Sequence, residues 1–225
     1  MTPTNRTLVI MAKAPRAGSV KTRLAETIAL PAATELYLCL LNDTVTLAQT
    51  LDRVDVAIMR PTSDVEDLSR ALNDAATVVP QTGKGLAAAL TSVFAHFANS
   101  GHQRVIAFNS DSPHLSTSIL ESAFDALEAC DLVVGPTHDG GYYLVGAKAS
   151  HDDLFANDGM GTASALEGLL ARARALKLSV HLTEPFYDID VADDLSQLAD
   201  ELQRVPEKAP RTAKWLSRWA SARRK

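Results

Sequence analysis

Short apolar runs alternate along the chain with stretches in which apolar residues recur every three or four positions. Leu8–Ala12, Val54–Met59, Thr77–Val79, Arg104–Phe108, Leu132–Val134, Tyr142–Val145 and Leu178–Leu182 read as strands. Pro31–Leu51 predicts a helix with Tyr37, Leu40, Leu41, Leu47 and Leu51 on one face. Leu86, Leu90, Val93, Phe94 and Phe97 form a second stripe, and Ile119, Ala123 and Leu127 a third. Leu166, Leu169, Leu170 and Ala173 form a fourth, and Val191, Leu195, Leu198 and Leu202 a fifth. Ser63 with Glu66, Ser118 with Glu121 and Ser164 with Glu167 have the spacing of capping boxes. Apolar strands alternating with helices predict a mostly parallel sheet covered on both faces, an α/β three-layer αβα sandwich. Such sheets bind ligands outside the carboxyl ends of their strands, so the residues just after each strand are where chemistry is sought.

The 225 residues suit one large domain, and 46% hydrophobic with 22% charged residues excludes disorder as the main state. The net charge of −5 argues against a wholly basic nucleic-acid binder. No apolar run approaches the ~20 residues needed to cross a bilayer, and the amino-terminal stretch is too short for a signal peptide. Two cysteines, Cys39 and Cys130, exclude a disulfide scaffold and a four-thiolate zinc site. A cytoplasmic protein with reduced thiols is expected. The segment from Gln203 to Lys225 carries eight Lys or Arg against the single acid Glu207, with Trp215 and Trp219 one turn apart. A membrane or nucleic-acid role is conceivable for so basic a segment. The favoured reading is a helical extension, 204–225, docking its tryptophan face on a domain of residues 1–203.

Charge is uneven at the other end too. Residues 1–25 contain no acid but carry Arg6, Lys13, Arg16, Lys21 and Arg23. Four of these lie directly after the first strand, in a loop marked by Pro15 and Gly18. Gly18 permits close backbone approach, and Lys13, Lys21, Thr22 and Arg23 supply charge and hydrogen bonds to phosphate oxygens. The loop is expected to run into a helix whose free N–H groups favour anions, so a di- or triphosphate is the natural ligand; a solvated basic loop is the alternative. Gly18–Thr22 fails the G-x-x-x-x-G-K-[ST] pattern, because Val20 and not glycine stands directly before Lys21 and no glycine occupies the first position, and a P-loop is rejected. Gly83 and Gly85, in Gly83-Lys84-Gly85-Leu86-Ala87-Ala88, fit G-x-G-x-x-A, the shape of a dinucleotide fingerprint. They follow the third strand rather than the first. A turn, or a loop touching a nucleotide base, is preferred to a nicotinamide or flavin site.

Asp111 stands at the end of the fourth strand, before Pro113, and is placed either to meet a ligand or to cap a turn. In Phe186–Val191 the period of two puts Asp188 and Asp190 on one side, although Asp190 also suits the N-cap of the following helix. Asp111 with Asp190 is a candidate Mg²⁺ (or Mn²⁺) site, since Mg²⁺ uses one or two carboxylates together with substrate phosphates. Asp139-Gly140-Gly141-Tyr142 is a turn entering a strand, where Asp139 would bind or deprotonate an acceptor if it does more than turn the chain. The six histidines have no metal-ligand spacing, and Ser112 has no evident histidine partner. The segment His151–Gly161 reads as a loop over the active site or a plain connector.

Lys13-x-Pro15-x-x-Gly18-x-Val20-Lys21-Thr22-Arg23-Leu24, Ser110-Asp111-Ser112-Pro113, Gly135-Pro136-x-x-Asp139-Gly140-Gly141-Tyr142-Tyr143-Leu144-x-Gly146 and Asp188-Ile189-Asp190-x-x-Asp193-Asp194-Leu195 occur in that order. Together they resemble the bacterial glycosyltransferase-like family called radical-SAM/selenodomain-associated transferase type 1, of the nucleotide-diphospho-sugar transferase (GT-A) superfamily. The resemblance spans about Leu8 to Leu202. It implies a GT-A, Rossmann-like fold, a nucleotide site, and a divalent metal held by Asp111 with Asp190 as the distant second acid. Gly83-Lys84-Gly85-Leu86 stands where the family usually has Gly-Asp-Leu-Gly, and Met160-Gly161-Thr162 where it often has Trp-Ser-Thr. Two reactions fit the fold. One is nucleotidyl transfer from an NTP to a phosphorylated small molecule with release of pyrophosphate. The other is glycosyl transfer from an NDP-sugar to a small acceptor. Four cations in one loop, the lack of a D-x-D at Asp111-Ser112-Pro113 and the remote second Asp favour the first; a non-catalytic nucleotide-binding module is the third reading.

Overall fold

A computed structural model of the chain describes residues 5–72, 76–151, 153–155 and 162–222. Seven strands, β1 (Arg6–Met11), β2 (Asp55–Arg60), β3 (Thr77–Pro80), β4 (Arg104–Asn109), β5 (Leu132–Pro136), β6 (Tyr142–Ala147) and β7 (Val180–Leu182), form one sheet in the order β3-β2-β1-β4-β6-β5-β7. All pair in parallel except β6, which runs antiparallel to both β4 and β5. The helices are α1 (Leu30–Gln49), α2 (Val65–Ala71), α3 (Gly85–Asn99), α4 (Thr117–Ala129), α5 (Ala165–Ala175), α6 (Ala192–Arg204) and α7 (Pro210–Ala222).

The alternation of side chains along each strand explains the layers. Leu8 and Ile10 of β1 face α1, α2 and α4, packing with Tyr37, Leu41, Leu68, Phe124 and Leu127. Val9 faces the other way, onto Leu90, Val93, Phe94 and Phe97 of α3 and Leu169 and Ala173 of α5. Both faces of the central strands are therefore dry, as their unbroken apolar runs require. A third cluster joins α1, α6 and α7: Trp215 and Leu216 bury against Leu36, Leu40, Leu195, Leu198 and Ile189. Asp43 of α1, itself buried, anchors the start of α7 by accepting from the Thr212 N–H (2.8 Å) and hydroxyl (2.9 Å). Because Ile189 lies between Asp188 and Asp190, the carboxyl-terminal helix underpins the acidic segment.

Helix starts differ from the sequence expectation. Asp64, not Ser63, is the N-cap of α2, and Ser116, not Ser118, caps α4, its hydroxyl accepting from the Ser118 N–H. Ser164 does precede α5 but makes no side-chain cap bond. No helix begins at the end of the basic loop. Arg23 leads into a single 3₁₀ turn, Leu24–Glu26, and α1 starts only at Leu30, so the expected helix N-terminus for phosphates is absent there. Most of His151–Gly161 lies outside the described residues. No helix among the described residues is long and apolar enough to cross a membrane.

His114, just after β4, is buried, and neither ring nitrogen has a partner among the described residues. It is wedged against Phe186 and Tyr187, with ring centroids 4.8 and 4.6 Å away. Burial pushes its imidazole down to about 4, with Glu201 opposing. The unfolded value is near 6.5, so as pH falls through that range the unfolded chain takes up a proton that the folded one refuses. Stability is therefore full above about pH 6.5 and is lost progressively towards pH 4 by about 3 kcal/mol. Urea unfolding at pH 7.5 and 5 is expected to show a smaller loss for His114→Phe, which keeps the ring contact. An identical pH profile in wild type and variant refutes this.

Candidate active site

The strand order places the site. β1 has β2 on one side and β4 on the other, so the connections leaving β1 and β4 part in opposite directions and open a crevice at their carboxyl ends. Into it run the basic loop after β1, Asn109–Asp111 after β4, the Thr137–Tyr142 turn between β5 and β6, and the Asp188–Asp190 segment before α6.

Lys21 is the meeting point. Its backbone is left-handed (φ 51°) and its side chain only 4% exposed. Its ammonium donates to Asp111 Oδ2 and, at 3.0 Å, to Asp190 Oδ1. Burial alone would lower the pKa of this ammonium, but the charges of Asp111 and Asp190 outweigh it and hold the group protonated. Arg23 lies 3.8 Å from the other oxygen of Asp190. Oxygens of Asp111, Asp188 and Asp190 lie within 4.8 Å of one another. Burial, then the charges of Asp111 and Asp190, push the Asp188 carboxyl well above the ordinary carboxylate range, against the pull of Lys21. Asp190 is not the N-cap of α6. Val191 is the N-cap, and Asp194 at N3 reaches back, its Oδ2 accepting from the N–H groups of Asp190 (2.9 Å) and Val191 (2.8 Å), which leaves the Asp190 carboxylate facing the crevice.

A polar recess of about 270 Å³ lies beneath the loop, lined by Lys13, Ser19, Val20, Lys21, Thr22, Arg23, Tyr37, Ser110, Asp111 and Asp190. A larger crevice of about 540 Å³ adjoins it and shares Lys13, Arg23, Asp111 and Asp190. Asp139, Gly141, Tyr142 and Asp188 line this second space. Asp139 does turn the chain: its Oδ1 accepts from the Thr137 hydroxyl (2.5 Å) and the Gly141 N–H (3.2 Å). The Thr137 bond foremost holds its carboxyl below the usual range, with Arg23 helping. Gly140 (φ 89°) fixes the turn against the start of α5, where a Cβ would come within 2.0 Å of the Ala163 carbonyl oxygen.

Other expected residues fall elsewhere. Gly18 bends the basic loop outside both spaces. Gly83 and Gly85 line neither; both have positive φ (78° and 84°) and shape the turn into α3, and it is Leu86 and Leu90 that reach the larger crevice. Arg16 does not join the other cations. Its guanidinium donates to Asp64 (2.7 Å) and Asp67 (2.5 Å) and bolts the loop to α2, so the four-cation argument loses one member. Tyr37 was expected only as core. Its hydroxyl accepts from the Lys13 N–H at 3.0 Å and lies 3.1 Å from the Ser110 hydroxyl, tying the basic loop to the strand-end that carries Asp111.

Residues 44–162, more than half of the chain, match the family described as "Uncharacterized protein conserved in bacteria (DUF2064)". The chain belongs to this family. No protein of curated function matches the sequence. Among solved structures, the DUF2064 chain is similar to a candidate nucleotide-diphospho-sugar transferase from Desulfovibrio desulfuricans G20, with a TM-score of 0.89, 24% identity and coverage of 97% of this chain and 96% of that one. A CMP:2-keto-3-deoxy-manno-octonic acid synthetase complexed with CTP is similar at a TM-score of 0.58 and 11% identity, over 88% of this chain and 99% of its own. A 4-diphosphocytidyl-2C-methyl-D-erythritol synthase from Anaerococcus prevotii DSM 20548 gives 0.55 and 12%, over 89% and 98%. At these identities the likeness is one of fold.

Proposed function

We propose that this DUF2064 protein transfers a nucleotidyl group from an NTP to a small acceptor, with a divalent metal and release of pyrophosphate. The observation that carries the reading is the convergence of Lys13, Lys21 and Arg23 with Asp111, Asp188 and Asp190 on one crevice at the strand ends. The names of the two synthases similar in fold support it. The donor set fits Mg²⁺ or Mn²⁺: three hard carboxylates face one buried ammonium, and the raised proton affinity of Asp188 marks negative charge that Lys21 alone does not neutralise. When bound, such an ion would screen the phosphate oxygens and polarise the phosphorus under attack.

The chain's own residues do the rest. Lys13 and Arg23, at the junction of the two spaces, hold the non-bridging oxygens of the leaving phosphates and oppose the charge that builds on them. Lys21 keeps Asp111 and Asp190 at a fixed separation. The acceptor oxygen forms a bond to the α-phosphorus while the bond to the bridging oxygen breaks, and pyrophosphate leaves with that electron pair. Alignment in the crevice supplies most of the acceleration, with no covalent enzyme intermediate.

One observation favours glycosyl transfer from an NDP-sugar as the second reading. With Arg16 held by α2 and Lys21 by the aspartates, the loop offers only Lys13 and, at the edge of the aspartate cluster 3.8 Å from Asp190, Arg23, a better match to a diphosphate. Incubation with each NTP, Mg²⁺ and an acceptor panel, following pyrophosphate, tests the first reading; a parallel NDP-sugar panel, following free NDP, tests the second. Metal-dependent pyrophosphate release is expected. NDP release alone would move the assignment to glycosyl transfer, and no metal-dependent turnover of either donor would overturn both.

A further inference from the structure

The larger crevice is charged at one end only. There it is lined by Lys13, Arg23, Asp111, Asp139, Asp188 and Asp190. Its remaining wall joins Leu86 and Leu90 of α3, Phe108 of β4, Val145 of β6 and Ala165 of α5 with the polar side chains of Asn109, Tyr142, Tyr143 and Thr162. No described residue of that wall carries a charge. Leu86 is 44% exposed at the mouth of a ligand-sized space, one of few large apolar side chains so open to water. Its volume of about 540 Å³ falls in the ordinary range for small-molecule sites.

We infer that the acceptor is a neutral molecule with an apolar body and one nucleophilic hydroxyl at its end, not a sugar or a phosphorylated compound. The inference rests on the proposed transfer reaction and specifies its second substrate. Of the crevice's uncharged polar side chains, Ser110, Thr137 and Tyr143 are already bonded to Tyr37, Asp139 and Thr183, and Asn109 offers one buried unpartnered acceptor, Oδ1, so a sugar would leave most of its hydroxyls unpaired, and each buried unpaired group is costly. A phosphorylated acceptor needs cations beyond those on the donor, and Lys13 and Arg23 sit where the donor phosphates are held. At the charged end Asp139 is suited to the hydroxyl. Thr137 and Gly141 occupy its Oδ1, its carboxyl is held ionised, and its Oδ2 has no partner among the described residues. In the transfer, the hydroxyl oxygen bonds to the α-phosphorus, its proton passes to Asp139 and then to water, and pyrophosphate departs.

The probe is a series of straight-chain alcohols from butanol to decanol, with glycerol and inositol as polar controls. Their binding to the full chain is measured by equilibrium dialysis in wild type and Leu86→Glu; Leu86 is exposed, so the variant keeps its fold. Affinity is expected to rise about three- to fourfold per methylene and the longer alcohols to weaken at least tenfold in Leu86→Glu. A flat series, tighter binding of inositol, or a rise that Leu86→Glu leaves untouched would overturn the assignment. Binding of each NTP with Mg²⁺, measured on the same samples, separates the two ideas. A chain-length rise without nucleotide binding removes the proposed reaction but keeps the apolar ligand class, whereas nucleotide binding with a flat series does the reverse.

Discussion

Asp111→Ala is expected to lower turnover by about two to three orders of magnitude, the loss typical when a group that organises transition-state charge is removed. Asp111 lies just past β4 with its side chain 15% exposed, and it contacts Lys21 while sharing the carboxylate cluster with Asp188 and Asp190. Its removal takes away one ligand of the proposed metal site and half of what positions Lys21. The fold should survive, because Asp111 belongs to no apolar cluster and its loss relieves repulsion on Asp188. The metal concentration for half-maximal activity should rise as turnover falls, while the protein stays folded at the assay temperature. Turnover and metal titration of wild type and variant provide the check. Activity retained with an unchanged metal requirement would count decisively against the assignment of Asp111.

The layers of the fold were legible because parallel strands buried on both faces must be runs of apolar residues, and Leu8–Met11 and Val105–Phe108 are such runs. Strand ends were less so: β4 and β6 extend to Asn109 and Ala147, where ladder pairing with β1 and β5 overrides side-chain preference. Helix starts failed for a similar reason. Ser63 and Ser118 have the right spacing to a glutamate, but α2 follows Asp64 with no side-chain cap bond, and α4 follows Ser116, whose hydroxyl supplies the cap.

The acidic half of the site was legible from position alone, since Asp111 follows a strand and Asp188 and Asp190 share a side of an extended segment. The partnership of the cations was not. Arg16 and Lys21 look equivalent in sequence, yet Arg16 meets two acids from α2 and Lys21 two from the crevice. Those acids lie 48 and 51 residues away in the first case, and 90 and 169 in the second. Tyr37 illustrates the opposite error. Its place on the apolar stripe of α1 predicts burial correctly but hides the hydroxyl that ties Lys13 to Ser110. Leu86 also belongs to a helical stripe, and only the open crevice beside it shows that this residue is not core.

Lys21→Met is expected to destabilise the protein by about 3–5 kcal/mol in the absence of divalent metal, the usual cost of removing one partner from a buried ionic cluster. Methionine preserves the length of the side chain and leaves the left-handed backbone as it is, so the comparison isolates the charge. Without the ammonium, Asp111, Asp188 and Asp190 face one another with no buried counter-ion. Mg²⁺ should then do more for the variant than for wild type. In wild type the ion must compete with the Lys21 ammonium for the same oxygens, whereas in the variant it meets three carboxylates alone. At a hundredfold excess over its Kd, an ion that binds only the folded state adds about 3 kcal/mol, enough to return most of the loss. Urea unfolding in EDTA and in Mg²⁺ measures both effects. Equal stability of variant and wild type in EDTA would show that the ammonium does not neutralise the cluster, and an equal Mg²⁺ gain in the two would show that lysine and metal do not share those oxygens. The second result would separate the cationic loop from the metal site, and with it the idea that one crevice brings phosphate, lysine and aspartates together.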